Sequence, residues 1–217
     1  SAATWNVEIA YERGRIAGNF ALWGTGEEYN RIGGFYAPAV NIHRSPFSGR
    51  NNEYYSEDGF LTGKMAAAEV RGANDKGFYT YVKHFAINDQ ETNRLGICTW
   101  LNEQSMREIY LRSFEICVKE GKTTGIMSAL NRLGYTWTGG CRELLTDVLR
   151  NEWGFRGTVV TDSYMGDNSN LSNFDQKIRA GGNLALGNAS VKYNGGTATT
   201  YHYLRKAAHG ICYTLAN

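Results

Sequence analysis

Apolar residues define the first element: Trp5, Ile9, Ile16, Phe20 and the alanines among them recur at helical spacing from Thr4 to about Trp23, and Gly24 stops the pattern. That predicts a helix with no strand ahead of it. Phe35 to Ile42 is a short apolar run between Gly33-Gly34 and polar residues, which predicts a strand, followed by a loop and a helix from about Asp58 to Asp75. The same unit returns as a strand at Phe78 to Phe85 with a helix at about Asn102 to Lys119, and as a strand at Gly125 to Leu130 with a helix at about Arg142 to Asn151. A strand at Thr158 to Thr161, a short helix near Asn173 to Ala180, a strand at Asn183 to Leu186 and a last helix near Thr200 to Leu215 complete the series. No repeat of fixed period divides the chain, and the first linker-like stretch is Asn188 to Thr200.

Five strands alternating with helices imply parallel strands joined by right-handed crossovers, which leaves an α/β doubly wound sheet or a TIM-type (β/α) barrel. The loops favour the barrel. Asn41 to Ser56, Ala86 to Trp100, Asn131 to Cys141 and Ser163 to Ser172 all follow strands and are long, polar and aromatic, whereas return segments such as Lys76-Gly77 are short. Barrel enzymes place their chemistry in loops at the C-terminal ends of the strands. A full barrel has eight strands and about 250 residues. The 217 residues therefore read as a single partial (β/α) barrel domain, 1–217, whose first strands are missing or supplied from elsewhere.

Composition narrows the partners. With 42% hydrophobic and 20% charged residues the chain can bury a core and is not a disordered tail. Lys plus Arg number 23 against 21 Asp plus Glu, and a net charge of +2 offers no field for nucleic acid or an anionic membrane surface. No stretch approaches the roughly 20 apolar residues of a membrane helix, and Ser1 to Ile9 lacks the blocks of a signal peptide. The 14 Tyr, 9 Phe and 5 Trp supply rings of the kind that stack on sugars. Cys98, Cys117, Cys141 and Cys212 are widely spread with no CxxC pair, so they read as free thiols, which points to a cytoplasmic setting.

Candidate chemistry sits at strand ends. Asp162 closes the run Gly157-Thr-Val-Val-Thr161, where its carboxylate either faces the barrel mouth or caps the turn Asp162-Ser-Tyr-Met; position alone favours neither. Lys83-His84 closes another strand and suits hydrogen bonding to hydroxyls or an anion, although a salt bridge to Asp89 or Glu91 explains the pair more simply. Arg50 lies in a loop with Arg44, Asn51, Asn52, Glu53, Glu57 and Asp58, which also reads as a solvated network propping the rim. Ser128 and Asn131 follow the strand Gly125-Ile-Met127 and either bind a ligand or cap the loop. His43, His84, His202 and His209 have no ligand spacing for a metal, and no Walker loop, dinucleotide GxGxxG after a strand or GxSxG elbow occurs. The site predicted is cofactor-free and metal-free.

These residues fall in a longer collinear pattern. Tyr36-Ala-Pro-Ala-Val-Asn-Ile-His-Arg44 leads to Gly49-Arg50, Glu53 and Ser56-Glu57-Asp58, and then to Lys83-His84-Phe85 with Asn88, Glu91 and Arg94. Met127-Ser-Ala-Leu-Asn131, Leu144-Leu-Thr, Arg150-Asn-Glu-Trp-Gly-Phe-Arg-Gly-Thr-Val-Val-Thr-Asp162 and Ala180-Gly-Gly-Asn-Leu follow in order. The pattern resembles the family 3 glycoside hydrolases over about Ser1 to Leu186, and within them the β-glucosidase branch. The resemblance implies a retaining, exo-acting enzyme that removes terminal non-reducing β-D-glucosyl residues from a β-linked glucoside or oligosaccharide. It assigns Asp162 as nucleophile and Arg50, Lys83 and His84 as holders of the sugar hydroxyls, with Ser128 in the MSxxN segment as a further substrate-binding candidate. A retaining mechanism also needs a second carboxyl about 5 to 5.5 Å from the nucleophile.

Departures from that pattern shape the remaining expectations. Lys83-His84-Phe85 runs into Ala86-Ile-Asn-Asp-Gln90, which disfavours the β-N-acetylglucosaminidase branch with its KHFPGHGxT-like loop. The acid/base of the β-glucosidase branch usually lies in a second α/β sandwich domain, so it is expected outside this chain, with Glu57, Glu91 and Glu103 as the substitutes to inspect. Ser163 stands where Trp or Tyr is usual, which leaves Tyr164 to replace the stacking wall, and Asn183 stands where Asp is usual. The alternative function is a non-catalytic carbohydrate-binding or pseudoenzyme module that keeps the glycone contacts. An open barrel has two unpaired edges, which predicts self-association or docking of the missing parts.

Overall fold

The computed structural model describes residues 2–24, 32–163, 172–187 and 197–217. Tyr164 and most of the predicted linker lie outside the described residues. Helix α1 (Val7–Trp23) starts at Asn6, whose side chain accepts from the N–H groups of Glu8 and Ile9, and ends at Gly24 with φ of 66°. Strand β1 (Gly34–Phe35) and helix α2 (Gly59–Asn74), capped by Asp58, follow. Then come β2 (Tyr79–Phe85), β3 (Cys98–Thr99), α3 (Glu103–Ser105), α4 (Arg112–Lys119) and β4 (Gly125–Ser128). Strands β5 (Arg132–Leu133) and β6 (Thr136–Trp137) precede a π-helix at Glu143–Glu152. Strand β7 (Thr158–Ser163), α5 (Phe174–Ala180), β8 (Leu184–Leu186) and α6 (Ala198–Ala216) complete the chain.

Five strands form one all-parallel sheet in the order β1-β2-β4-β7-β8, the order in which they occur along the chain. A doubly wound sheet reverses its strand order at a switch point. This one never reverses, so it is the curled wall of a partial TIM-type barrel, as the loops predicted. The helices cover its outer face, where Val82, Phe85, Ile126 and Val159 meet Val70 of α2, Phe114 and Cys117 of α4, and Leu145 and Leu149 of the π-helix in one buried cluster. Tyr81, Met127 and Val160 make a second cluster. Both β2 and β7 shift register at their C-terminal ends, between Val82 and Phe85 and between Val160 and Ser163, which is how Val82 and Phe85 come to share one buried cluster.

Four expectations change in detail. The strand predicted at Phe35 to Ile42 is broken: β1 stops at Phe35, and only Ala39 pairs again, with Lys83. Pro38 between them has no N–H to donate, though its carbonyl accepts from Lys83. The helix predicted over 102–119 is split by a π-helical turn at Met106–Tyr110, closed by Leu111 N–H donating to Met106 O at 2.8 Å. A second sheet, β3-β5-β6, is built from the loops after β2 and β4. Helix α1 exists as predicted, but Trp5 and Trp23 are 77% and 79% exposed and Ile9, Ile16 and Phe20 also face outward. Its buried residues are Ala10, Gly14, Gly18 and Ala21. A Cβ on Gly14 would lie 2.0 Å from Glu69 O, and one on Gly72 would lie 2.0 Å from Tyr11 O, so α1 and α2 cross with backbones too close for larger side chains. The four thiols are free, and no helix among the described residues is long and apolar enough to cross a membrane.

Candidate active site

The C-terminal ends of β2 and β7 bring His84 and Asp162 together, and Lys83 beside His84 and Arg50 from the loop after Ala39 share Glu53 as a partner. The two oxygens of Asp162 stand in different surroundings. Its Oδ1 accepts from Ser163 N–H at 2.7 Å, the local cap, while Oδ2 is buried with no hydrogen-bond partner among the described residues. His84 Nε2 lies 3.9 Å from that oxygen.

Asn41 fixes the imidazole. Its Nδ2 donates to His84 O at 3.0 Å, and its Oδ1 accepts from His84 N–H at 2.8 Å, which orients the amide from both sides. The same Oδ1 lies 3.3 Å from His84 Nδ1, so the proton sits on Nδ1 and Nε2 presents a lone pair. Burial, then the charges of Arg50, Lys83 and Arg94, hold the His84 pKa well below its usual value, and the ring is neutral. Nε2 and Asp162 Oδ2 are then two acceptors facing one gap. What fits between them is a hydrogen-bond donor such as a hydroxyl.

Three cations surround this pair and are held by two carboxylates. Glu53 pairs with Arg50, and its Oε2 lies 3.3 Å from Lys83 Nζ. Glu91 Oε1 accepts from Arg50 Nη1 at 3.3 Å and Asn88 Nδ2 at 3.2 Å, and its Oε2 accepts from Arg94 Nη1 at 2.9 Å. The simple alternative for Lys83, a bridge to Asp89 or Glu91, is replaced by the bridge to Glu53. Asp89 faces elsewhere: its Oδ1 accepts from Ile42 N–H at 3.0 Å, and burial raises its pKa to about 7. Tyr54 closes the network from behind, donating to Asn88 O at 2.8 Å with its ring 6.0 Å from the Arg50 guanidinium carbon.

Ser128 does not reach this space. It is fully buried, donates to Val160 O at 3.3 Å and accepts from the buried Lys177 Nζ at 3.5 Å. Of the substitute carboxyls, Glu91 is committed as described, Glu103 pairs with Arg107 at 2.8 Å, and Glu57 lies beside Ser56 at 3.2 Å. Sequence reasoning missed Asn41 and Tyr54 as structural partners of the site. Asn41 stands inside the Tyr36 to Arg44 motif, so the motif held that signal, whereas Tyr54 carried none. No group of three or more His, Cys, Asp or Glu among the described residues is arranged to hold a metal.

The chain as a whole is similar to known proteins. The model of the glycosyl hydrolase family 3 N terminal domain fits residues 2–208. The chain belongs to that family. Beta-glucosidase A of Butyrivibrio fibrisolvens is 47% identical over 161 residues, which cover 74% of this chain and 19% of that protein. An exo-alpha-(1->6)-L-arabinopyranosidase of Bifidobacterium longum is 38% identical over 161 residues, covering 74% of this chain and 20% of that protein. Beta-glucosidase 3B from Thermotoga neapolitana, in complex with glucose, superposes with a TM-score of 0.87 at 37% identity, covering 99% of this chain and 30% of that one. The chain thus spans about a fifth of the length of the two curated relatives and 30% of the solved structure.

Proposed function

We propose that this family 3 domain carries the glycone half of a retaining, exo-acting β-glycosidase site of β-glucosidase type. Asp162 Oδ2, buried beside His84 Nε2 at the end of β7 and without a hydrogen-bond partner among the described residues, carries the reading. A retaining nucleophile must present one free carboxylate oxygen to the anomeric carbon. Here Oδ1 is anchored by the backbone and Oδ2 is left for that attack. His84 Nε2 accepts a sugar hydroxyl, and Arg50 and Lys83 donate to others, contacts that strengthen as charge shifts in the oxocarbenium-like state. Ser128 supports the wall beneath them. The proton donor to the leaving group comes from outside this chain. The substrate is a β-linked glucoside or oligosaccharide, and the pairing of a beta-glucosidase and an arabinopyranosidase among similar proteins marks the glycone as the feature to assay.

The test is hydrolysis of 4-nitrophenyl β-D-glucoside, whose activated leaving group needs little acid assistance. Asp162→Ala should abolish turnover and leave weak glucose binding, because the hydroxyl partners remain. Turnover retained in Asp162→Ala overturns the nucleophile assignment. Glucose binding without turnover in the unaltered protein would favour the carbohydrate-binding module instead.

A further inference from the structure

A second cleft lies at the opposite end of the same strands, and the glycosidase reading does not use it. It opens between the π-helix at Glu143–Glu152, the Gly181 to Asn183 turn ahead of β8, and α6, and has a volume of about 310 Å³. Arg142, Arg150, Arg156, Arg179 and Lys206 line it, with His209 at the α6 side and no Asp or Glu in the lining. In a chain with 23 cationic against 21 acidic residues, five cations around one acid-free cleft are a local concentration of charge.

Pairing outside the cleft neutralises only part of it. Arg142 reaches Asp147 at 3.4 Å and Arg179 reaches Asp175 at 2.8 Å. Among the described residues, no carboxylate pairs with Arg150, Arg156 or Lys206. Arg150 is the most unusual of these. It donates to Gly181 O at 2.7 Å, Gly157 O at 3.2 Å and Asn183 Oδ1 at 2.9 Å, all neutral acceptors. Burial without a counter-charge lowers its pKa to about 10. Asn183 is itself fixed by donating to Ala207 O at 2.7 Å, and as an amide it gives Arg150 a hydrogen bond but no charge. A guanidinium desolvated in this way gains from an anion placed in the cleft above it. The rim cations are held against rings: Arg156 over Tyr213 at 4.7 Å, and Arg179 and Lys206 over Tyr203 at 5.9 and 5.8 Å.

We propose that this cleft binds a small phosphate monoester, its phosphoryl group between Arg156 and Lys206 above Arg150 and its organic part against Tyr203 and Ile178. A monoester phosphate carries about −1.5 to −2 charges at neutral pH and presents three acceptor oxygens, which suits planar guanidinium donors. The volume is at the lower limit for ligand pockets, roughly 300 to 1,000 Å³, so a metabolite fits and a folded partner does not. The apolar ring and side chain beside the cations favour an organic phosphate over the free ion.

The experiment is isothermal titration calorimetry of the protein with adenosine 5′-monophosphate, glucose 6-phosphate and inorganic phosphate at constant ionic strength. We expect saturable binding of at least one monoester below about 1 mM, with inorganic phosphate weaker. The exposed rim variant Arg156→Glu/Lys206→Glu should weaken it about tenfold or more while leaving glucoside hydrolysis and the unfolding midpoint unchanged. If that variant fails to fold, Arg156→Gln/Lys206→Gln should weaken binding in the same direction. No saturable heat with either monoester up to about 10 mM, or unchanged binding in a folded rim variant, overturns the proposal. Inorganic phosphate binding as tightly as both monoesters overturns its organic half.

Discussion

Replacing Lys177 by Met should stabilise the protein at neutral pH. Lys177 lies on α5, fully buried, and among the described residues its ammonium has one hydrogen-bond partner, Ser128 Oγ, at the long distance of 3.5 Å. Burial, and then the charge of Arg150, push its pKa down from 10.5 to about 7. A lysine with a depressed folded pKa weakens the fold wherever the unfolded chain holds a proton that the folded chain must release or bury. Below about pH 7 both states are protonated and the full penalty applies. Between about pH 7 and 10.5 the unfolded chain binds more protons, so stability rises with pH, and above 10.5 the penalty is gone.

The interval from about 7 to 10.5, at 1.36 kcal/mol per pH unit, sets a ceiling of roughly 5 kcal/mol. Met fills the volume of the aliphatic stem, which is packed so closely that a Cβ on Gly182 would lie 2.4 Å from Lys177 Cγ. After the loss of the weak Ser128 contact, a net gain on the order of 2 to 4 kcal/mol should remain at pH 6 to 7. Urea unfolding of the two proteins at unit steps from pH 6 to pH 10 measures it. The difference should shrink by about 1.4 kcal/mol per pH unit above pH 7. A Lys177→Met protein that is less stable at every pH, with a curve parallel to that of the parent, refutes the reasoning and would mean that the ammonium is compensated in the folded state.

Two further outcomes test how the scaffold is held. Gly14→Ala places a methyl 2.0 Å from Glu69 O, backbone that cannot yield without separating α1 from α2, so it should cost about 3 kcal/mol or more in thermal or urea unfolding. A loss below about 1 kcal/mol would show that the helix crossing relaxes freely. Asp58→Ala removes the acceptor for the N–H groups of Phe60 and Leu61, at 2.6 and 3.1 Å, and should cost about 1 kcal/mol, whereas Asp58→Asn should recover most of it.

The strands of the barrel wall were legible because a parallel strand covered on both faces reads as an apolar run, as Tyr79 to Phe85 and Gly125 to Ser128 do. The sheet β3-β5-β6 was not, because its strands are two residues each and two residues carry no period. Helix α1 was legible as a helix and misleading as a buried face. Its large apolar side chains made the periodic signal, but the contact with α2 is made where side chains are absent, at Gly14 and Gly72. Periodicity reports which side chains share a face, and close backbone approach reverses which face is buried.

The site shows the same limit from the side of charge. Asp162 stood out as a carboxylate ending an apolar run, but its position alone left the mouth and the turn cap equal, and only the family resemblance singled it out. The partner of Lys83 could not be found, because Glu53 becomes its neighbour only when the loop after Ala39 folds back over β2. That partner explains the rest of the mouth. Arg50, Lys83 and Arg94 converge near a neutral His84, and without counter-charges they would repel one another in a half-buried space. Glu53 joins Arg50 to Lys83, and Glu91 joins Arg50 to Arg94, so each carboxylate spends both oxygens fixing donors. Among the described residues Asp162 is the carboxylate of this mouth that keeps an oxygen, Oδ2, without a hydrogen-bond partner, as Asn88 keeps its amide oxygen. The pairing that sets Arg50, Lys83 and Arg94 in place therefore leaves neither Glu53 nor Glu91 a carboxylate oxygen free of a cation, which supports our proposal that the acid/base comes from another part of the molecule.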